Sequence, residues 1–190
     1  MSASFCLSVS LRRLQKWCKI MVTNVQEVVI MVVQQYRRIS VPVDGSEEAE
    51  FAFKKSVAVA KRNGDETELH LLHVIDTRAF QNISSFDSSM VEQVTKTAKK
   101  TLDEYVDYAK KQGVAKVSYT IEYGAPKTII ARDVPQKLNA DLIMIGATGL
   151  NAVERILIGS VTEFVTRTAV CDVMVIRTNL DNKPVAVPKK

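Results

Sequence analysis

Cysteine is scarce in this 190-residue chain: Cys6, Cys18 and Cys171 are few, far apart and form no C-x-x-C pair. An odd count at such spacing argues against a disulfide framework or a cysteine zinc site and fits a reducing compartment. Cys171 begins an apolar run and reads as a small buried hydrophobe. Histidine is scarcer still. His70 and His73 share one strand-like run with no matching Cys or His elsewhere, so they read as core or edge histidines, not metal ligands. No segment reaches the roughly 18 consecutive apolar residues that span a bilayer. The first 20 residues lack the order of a secretory signal, because their basic residues follow the short apolar stretch instead of preceding it. The expected location is the cytoplasm, with no membrane partner.

A basic field over the body of the protein is also missing. The formal net charge is +5, but residues 1–39 hold Arg12, Arg13, Lys16, Lys19, Arg37 and Arg38 against Glu27 alone. The remaining 20 basic and 20 acidic side chains cancel. Nucleic acid is therefore not an expected partner. The hydrophobic content of 46% suits one domain with a sizeable core.

What is present is a regular alternation of strand-like and helix-like blocks, beginning at a composition break near Tyr36. Tyr36 to Val43 reads as a strand, ended by Asp44-Gly45. Ser46 is a good N-cap for a helix with Glu47, Glu48 and Glu50 in its first turn, closed by Asn63-Gly64 near Arg62. Glu68 to Ile75 is a second strand, apolar enough to be buried on both faces. A polar loop with Asp76, Phe80 and Phe86 leads to a long helix from about Ser88 to Gln112. Its Lys96, Lys99, Lys100, Lys110 and Lys111 read as a solvated face with Asp103, Glu104 and Asp107. Val114 to Tyr123 alternates as a third strand. Ala125-Pro126 opens a helix to Leu138 that Pro135 bends or shortens. Asp141 to Ile145 and Cys171 to Ile176 are the last two strands, with a helix at Val161 to Thr168 between them. Near-continuous apolar strands alternating with helices call for a doubly wound parallel α/β sheet covered on both faces. Ligands of such sheets sit at the carboxyl ends of the strands, where Asp44, Asp76 and Gly146 are all expected. Residues 1–35 form an N-terminal extension, of which residues 1–30 fit an amphipathic helix, a targeting segment or, the favoured reading, an upstream extension of the reading frame. Residues 178–190 read as a solvated C-terminal tail.

Between the last two strands stands the most informative segment: Gly146, Gly149, Gly159 and Ser160, spaced G-x2-G-x9-G-S. Glycines let main-chain N–H groups approach an anion, and a helix N-terminus adds unpaired donors and positive dipole. This is not a P-loop. No lysine occurs between Gly146 and Arg167, and Arg155 is the loop's only cation. Phosphates would be held mainly by N–H groups, with the Ser160 hydroxyl. Such a site binds a nucleotide but does little for a transferring phosphoryl group, so slow hydrolysis at most is expected. The competing reading is structural: the glycines shape a turn, and Ser160 with Glu163 forms a capping box. Asp44 likewise is either turn chemistry or an acid for a ribose hydroxyl or a metal-bound water. No S-G-G-x-D-S, HIGH or KMSKS motif is present, which argues against adenylate-forming enzymes, and no nucleophile–base pair is visible.

These residues give the chain a likeness to a known family. Tyr-Arg-Arg-Ile-Ser-Val-Pro-Val-Asp44-Gly-Ser, Leu-Leu-His-Val-Ile-Asp76 and the complete G-x2-G-x9-G-S loop resemble the universal stress protein family over residues 36–177. The resemblance implies a three-layer sandwich like that of the adenine nucleotide alpha hydrolases, its five-stranded sheet ordered 3-2-1-4-5. It implies a homodimer paired through the last strand, Val173 to Ile176, and membership of the ATP-binding branch. Matched residue by residue, Pro42, Val43 and Asp44 would line the adenosine end, with Val74 beside the adenine. Gly146, Gly149, Gly159, Ser160, Val161 and Thr162 would hold the phosphates, bridged by Mg²⁺. The expected function is that of an ATP-linked stress-response regulator. The alternative is a dimeric interaction module that needs no nucleotide. Residues 1–30 have no counterpart in the family pattern.

Overall fold

Alternating apolar residues commit the second strand to two cores at once. In Glu68–Ile75, Leu69 and Leu71 enter one buried cluster while Leu72 enters the other. The computed structural model describes residues 18–22, 28–32, 35–80, 88–149 and 158–184. They fall in two compact units, divided between Gln35 and Tyr36. In the first, β1 (Cys18–Val22) pairs antiparallel with β2 (Val28–Val32), Ile20 opposite Ile30. Over these residues a pair of antiparallel strands stands where an amphipathic helix was one of the expectations.

The second unit comprises β3 (Arg38–Pro42), α1 (Glu47–Asn63), β4 (Glu68–Ile75), α2 (Ser88–Lys111), β5 (Lys116–Tyr123), the helical segment α3 (Pro126–Leu138), β6 (Leu142–Gly146), α4 (Ser160–Thr168) and β7 (Asp172–Ile176). The sheet order is β5-β4-β3-β6-β7, wholly parallel, which is 3-2-1-4-5 counted within the sheet. The expected doubly wound sheet is therefore the observed one. Ile39, Val41, Leu142 and Met144 meet Phe53 and Val57 of α1 and Leu102 of α2 on one face. Ile143 and Ile145 meet Ile130 and Val134 of α3 and Val165 of α4 on the other.

Local chemistry sets the ends. Ser46 caps α1 by accepting from Ala49 N, and Gly64 closes it at φ 97, where a side chain would be strained. Asp141, expected to open β6, lies outside that strand. Its carboxylate instead accepts from the N–H groups of Arg37 (2.7 Å) and Arg38 (3.0 Å) at the start of β3. Pro135 does not end α3. The segment opens as an α turn (Pro126–Thr128), widens to a π stretch (Ile129–Asp133) and closes as α (Val134–Leu138). The carbonyl of Ala131, which the proline cannot serve, accepts from Val170 N at 3.3 Å. The stretch after β7, read as a solvated tail, is largely exposed and turns back on itself as far as Pro184. Asn179 Oδ1 accepts from Asp181 N and Lys183 N, and Lys55 Nζ of α1 donates to Thr178 Oγ1 at 2.7 Å.

Candidate functional site

The carboxyl ends of β3, β4 and β6 open onto one cavity of about 970 Å³. Its lining includes Pro42, Val43, Asp44, Val74, Gly146, Gly149, Gly159, Ser160, Val161 and Thr162. All ten residues matched to a nucleotide site are therefore brought to one place, and Asp76 joins them at the end of β4. Among the described lining residues there are two carboxylates, one histidine and no lysine or arginine. Arg155 and the Phe80–Phe86 pair lie outside the residues whose side chains are described.

Two of the motif's three glycines are required by close approach. None of the three in the motif has a positive φ. A Cβ on Gly146 would stand 2.9 Å from Ala49 N and Glu48 C, in the backbone of α1's first turn. A Cβ on Gly149 would stand 2.6 Å from Asp44 Oδ2. At Gly159 the nearest atom, Thr148 Cα, is at 3.4 Å, an ordinary contact. The loop's two ends are clasped by Gly159 N–H donating to Ala147 O at 2.8 Å.

The capping box read from Ser160 and Glu163 does not form. The N-cap of α4 is Gly159, which has no side chain to cap with, so Ser160 is the first helical residue. Glu163 N–H is the first amide to bond within the helix, to Gly159 O at 2.8 Å, and the Glu163 carboxylate pairs with Arg167 at 3.8 Å. The N–H groups of Ser160, Val161 and Thr162 are thus left without intrahelical partners at the cavity. The Thr162 hydroxyl is committed elsewhere, donating to Gly146 O at 2.8 Å.

Asp44 shows the turn chemistry: Oδ1 accepts from Ser46 N (3.0 Å) and Ser46 Oγ (2.6 Å), while Oδ2 lies against Gly149. Asp76 is held by Arg78 through Nε at 2.8 Å and Nη2 at 2.7 Å, which keeps its carboxyl below the ordinary value. His73 Nδ1–H donates to Val43 O at 2.8 Å and so ties the ends of β3 and β4 together. His70 is a satisfied core histidine, bonded to Ser118 and Thr120 hydroxyls at 2.9 and 3.0 Å.

The wall that sequence reasoning missed is α2. Thr97, Ala98, Thr101, Leu102 and Tyr105 line the cavity, at helical spacing and opposite the exposed lysines. That spacing was the available signal, masked in the sequence by the lysines of the opposite face. The Tyr105 ring stacks on Phe53 at 4.4 Å and 8°. Burial, then the carboxylates of Glu50 and Asp44, raises its phenol above the ordinary value. Among the described residues no group of His, Cys, Asp and Glu could hold a metal on its own, and no helix is long and apolar enough to cross a membrane.

A parallel doubly wound sheet with an amide-lined crevice at its carboxyl edge defines the class of protein. The sequence pattern of the universal stress protein family matches residues 35–177, and the chain belongs to that family. A Staphylococcus aureus (strain USA300) protein bearing the family's name is 44% identical over 143 residues, covering 75% of this chain and 85% of the relative. The solved structure of the universal stress protein UspA from Lactobacillus plantarum is 31% identical, with a TM-score of 0.63, over 76% of this chain and all of that one. A universal stress protein solved in complex with cAMP shares the fold at a TM-score of 0.57 and 22% identity, covering 75% of this chain and 98% of its own.

Proposed function

We propose that this chain is an ATP-binding universal stress protein, a nucleotide-linked regulator with at most slow hydrolysis. The observation that carries this reading is the cavity, which gathers the complete glycine motif, the open N-terminus of α4 and Asp44 around one space. The adenosine end would lie against Pro42, Val43 and Val74, with Asp44 Oδ2 in reach of the ribose. The phosphates would meet the amides of the glycine loop and of Ser160, Val161 and Thr162, with Mg²⁺ carried between phosphate oxygens. A cavity of this size suits a nucleotide. The complex of a relative with cAMP is in keeping with an adenine nucleotide as the ligand. With no described cation in the lining, charge on a transferring phosphoryl group has little to neutralise it, so binding outruns chemistry. The reading also takes in a cytoplasmic homodimer joined through Val173 to Ile176, with residues 36–177 as the functional domain and residues 1–35 as an extension.

A second reading, an interaction module that needs no nucleotide, draws support from Gly146 and Gly149. Both have packing reasons to be glycine without any ligand. Thermal denaturation separates the two. A binder gains roughly 2.7 kcal/mol at 100 times its dissociation constant, seen as a raised Tm with Mg·ATP. Ser160→Glu is a better probe than Gly149→Val, because valine at 149 would strike Asp44 before it reached any phosphate. Glutamate at position 160 complements the helix dipole, so the free protein holds or gains stability, while the ATP shift is lost. No shift in the wild-type chain at millimolar Mg·ATP would leave the interaction module standing.

A further inference from the structure

Resting on the nucleotide reading of the crevice, we propose that Thr148 is a ligand-binding residue whose hydroxyl donates to a phosphate oxygen. Among the described residues, five serine and threonine hydroxyls line the cavity beside the Tyr105 phenol: Thr97, Thr101, Thr148, Ser160 and Thr162. Three are already engaged as donors, Thr97 to Gln93 O at 3.0 Å, Thr101 to Thr97 O at 3.3 Å and Thr162 to Gly146 O at 2.8 Å. Ser160 is exposed, so water can serve it. Thr148 alone is both buried, at 5% exposure, and without any hydrogen-bond partner at Oγ1. A buried hydroxyl left unpaired is costly, and a ligand oxygen would remove that cost. The unpaired Ser40 hydroxyl is a different case, since Ser40 lies within β3 and is not among the cavity's lining residues.

The position of Thr148 points to the phosphate end. Ala147 N–H donates to Ile176 O and Ala147 O accepts from Gly159 N–H, both at 2.8 Å, so the main chain beside Thr148 is pinned. Thr148 Cα lies 3.4 Å from the place a Cβ would take on Gly159, the residue that opens α4. The main chain of Thr148 is thereby held beside the helix end whose amides lack intrahelical partners, where an anion is favoured, and Thr148 is among the cavity's lining residues. A hydroxyl has one proton to give and adjusts by rotation about a single bond, which suits a tetrahedral group of acceptor oxygens.

The test uses the full chain with Mg·ATP and adenosine as probes, read by calorimetry. Thr148→Val keeps the branched shape and removes only the hydroxyl. Its ligand-free Tm should match or exceed wild type, because no hydrogen bond is lost, whereas Thr162→Val should melt lower. Affinity of Thr148→Val for ATP should fall about ten- to a hundredfold, the effect of one hydrogen bond to a charged group. Adenosine affinity should hold, and Thr148→Ser should recover most of the ATP binding. If the valine variant does not fold, Thr148→Ala against Thr148→Ser makes the same comparison. Unchanged ATP affinity in the hydroxyl-free variant overturns the assignment, as does an equal loss for adenosine, which would put the hydroxyl on the nucleoside. A wild-type chain that binds neither probe overturns the nucleotide reading and this inference with it.

Discussion

Gly146 and Gly159 hold matching places in one motif yet answer to different constraints. A methyl group on Gly146 would press on main-chain atoms of α1 at 2.9 Å, and neither backbone can yield without shifting β6 or the helix. Gly146→Ala should therefore destabilise the fold by about 1–3 kcal/mol, the usual cost of overpacking, in urea denaturation. Gly159→Ala meets only ordinary contacts and already has β-region dihedrals, so its stability should stay within about 0.5 kcal/mol of wild type. Equal losses in the two variants would show that spacing alone does not separate their roles. Their presence was plain in the sequence; the neighbour each one accommodates was not, because Glu48 and Ala49 lie nearly a hundred positions away. The same limit explains the capping box. Ser160-x-x-Glu163 satisfies the local pattern, but the bond from Gly159 N–H to Ala147 O leaves Gly159 as the cap.

The pairing of β4 with β5 carries a titratable group in its middle. The ring of His70 bridges Ser118 and Thr120 of the neighbouring strand, and burial lowers its pKa below 6.5, with Glu122 pulling weakly the other way. The folded chain therefore takes up this proton at lower pH than the unfolded chain does. Stability from the neutral ring is complete above the ordinary value of 6.5 and is lost as the pH falls through the lower folded pKa. Tm should drop between pH 7 and pH 5, and His70→Gln, whose amide can still bond to a hydroxyl, should flatten that slope. An unchanged slope would assign the acid sensitivity elsewhere. The strand itself was legible to the residue, Glu68 to Ile75, because a short, mostly apolar run bounded by polar residues can be read without tertiary information. The π stretch before Pro135 was not, since it depends on Val170 arriving to take the Ala131 carbonyl.

The assembled domain leaves one sheet edge with an apolar outlook. Met174 of β7 is 39% exposed and Val170, just before that strand, 47%. An open edge of this kind favours pairing with a second copy. If the last strands join two chains, Met174→Lys should shift the protein to monomer in sedimentation at micromolar concentration, and the proposed Mg·ATP shift in Tm should persist, because the cavity lies at the strands' carboxyl ends. A variant that sediments like wild type would remove β7 from the interface.

The order of elements, the burial of both sheet faces and the spacing of the glycines were settled by the chain's own patterning. Each depends on residues a few positions apart, where backbone geometry alone decides what they share. The wall supplied by α2, the capture of Asp76 by Arg78 and the isolation of the Thr148 hydroxyl were decided only by folding. Those facts depend on which groups, distant in the chain, exclude water from one another, and no local period records that.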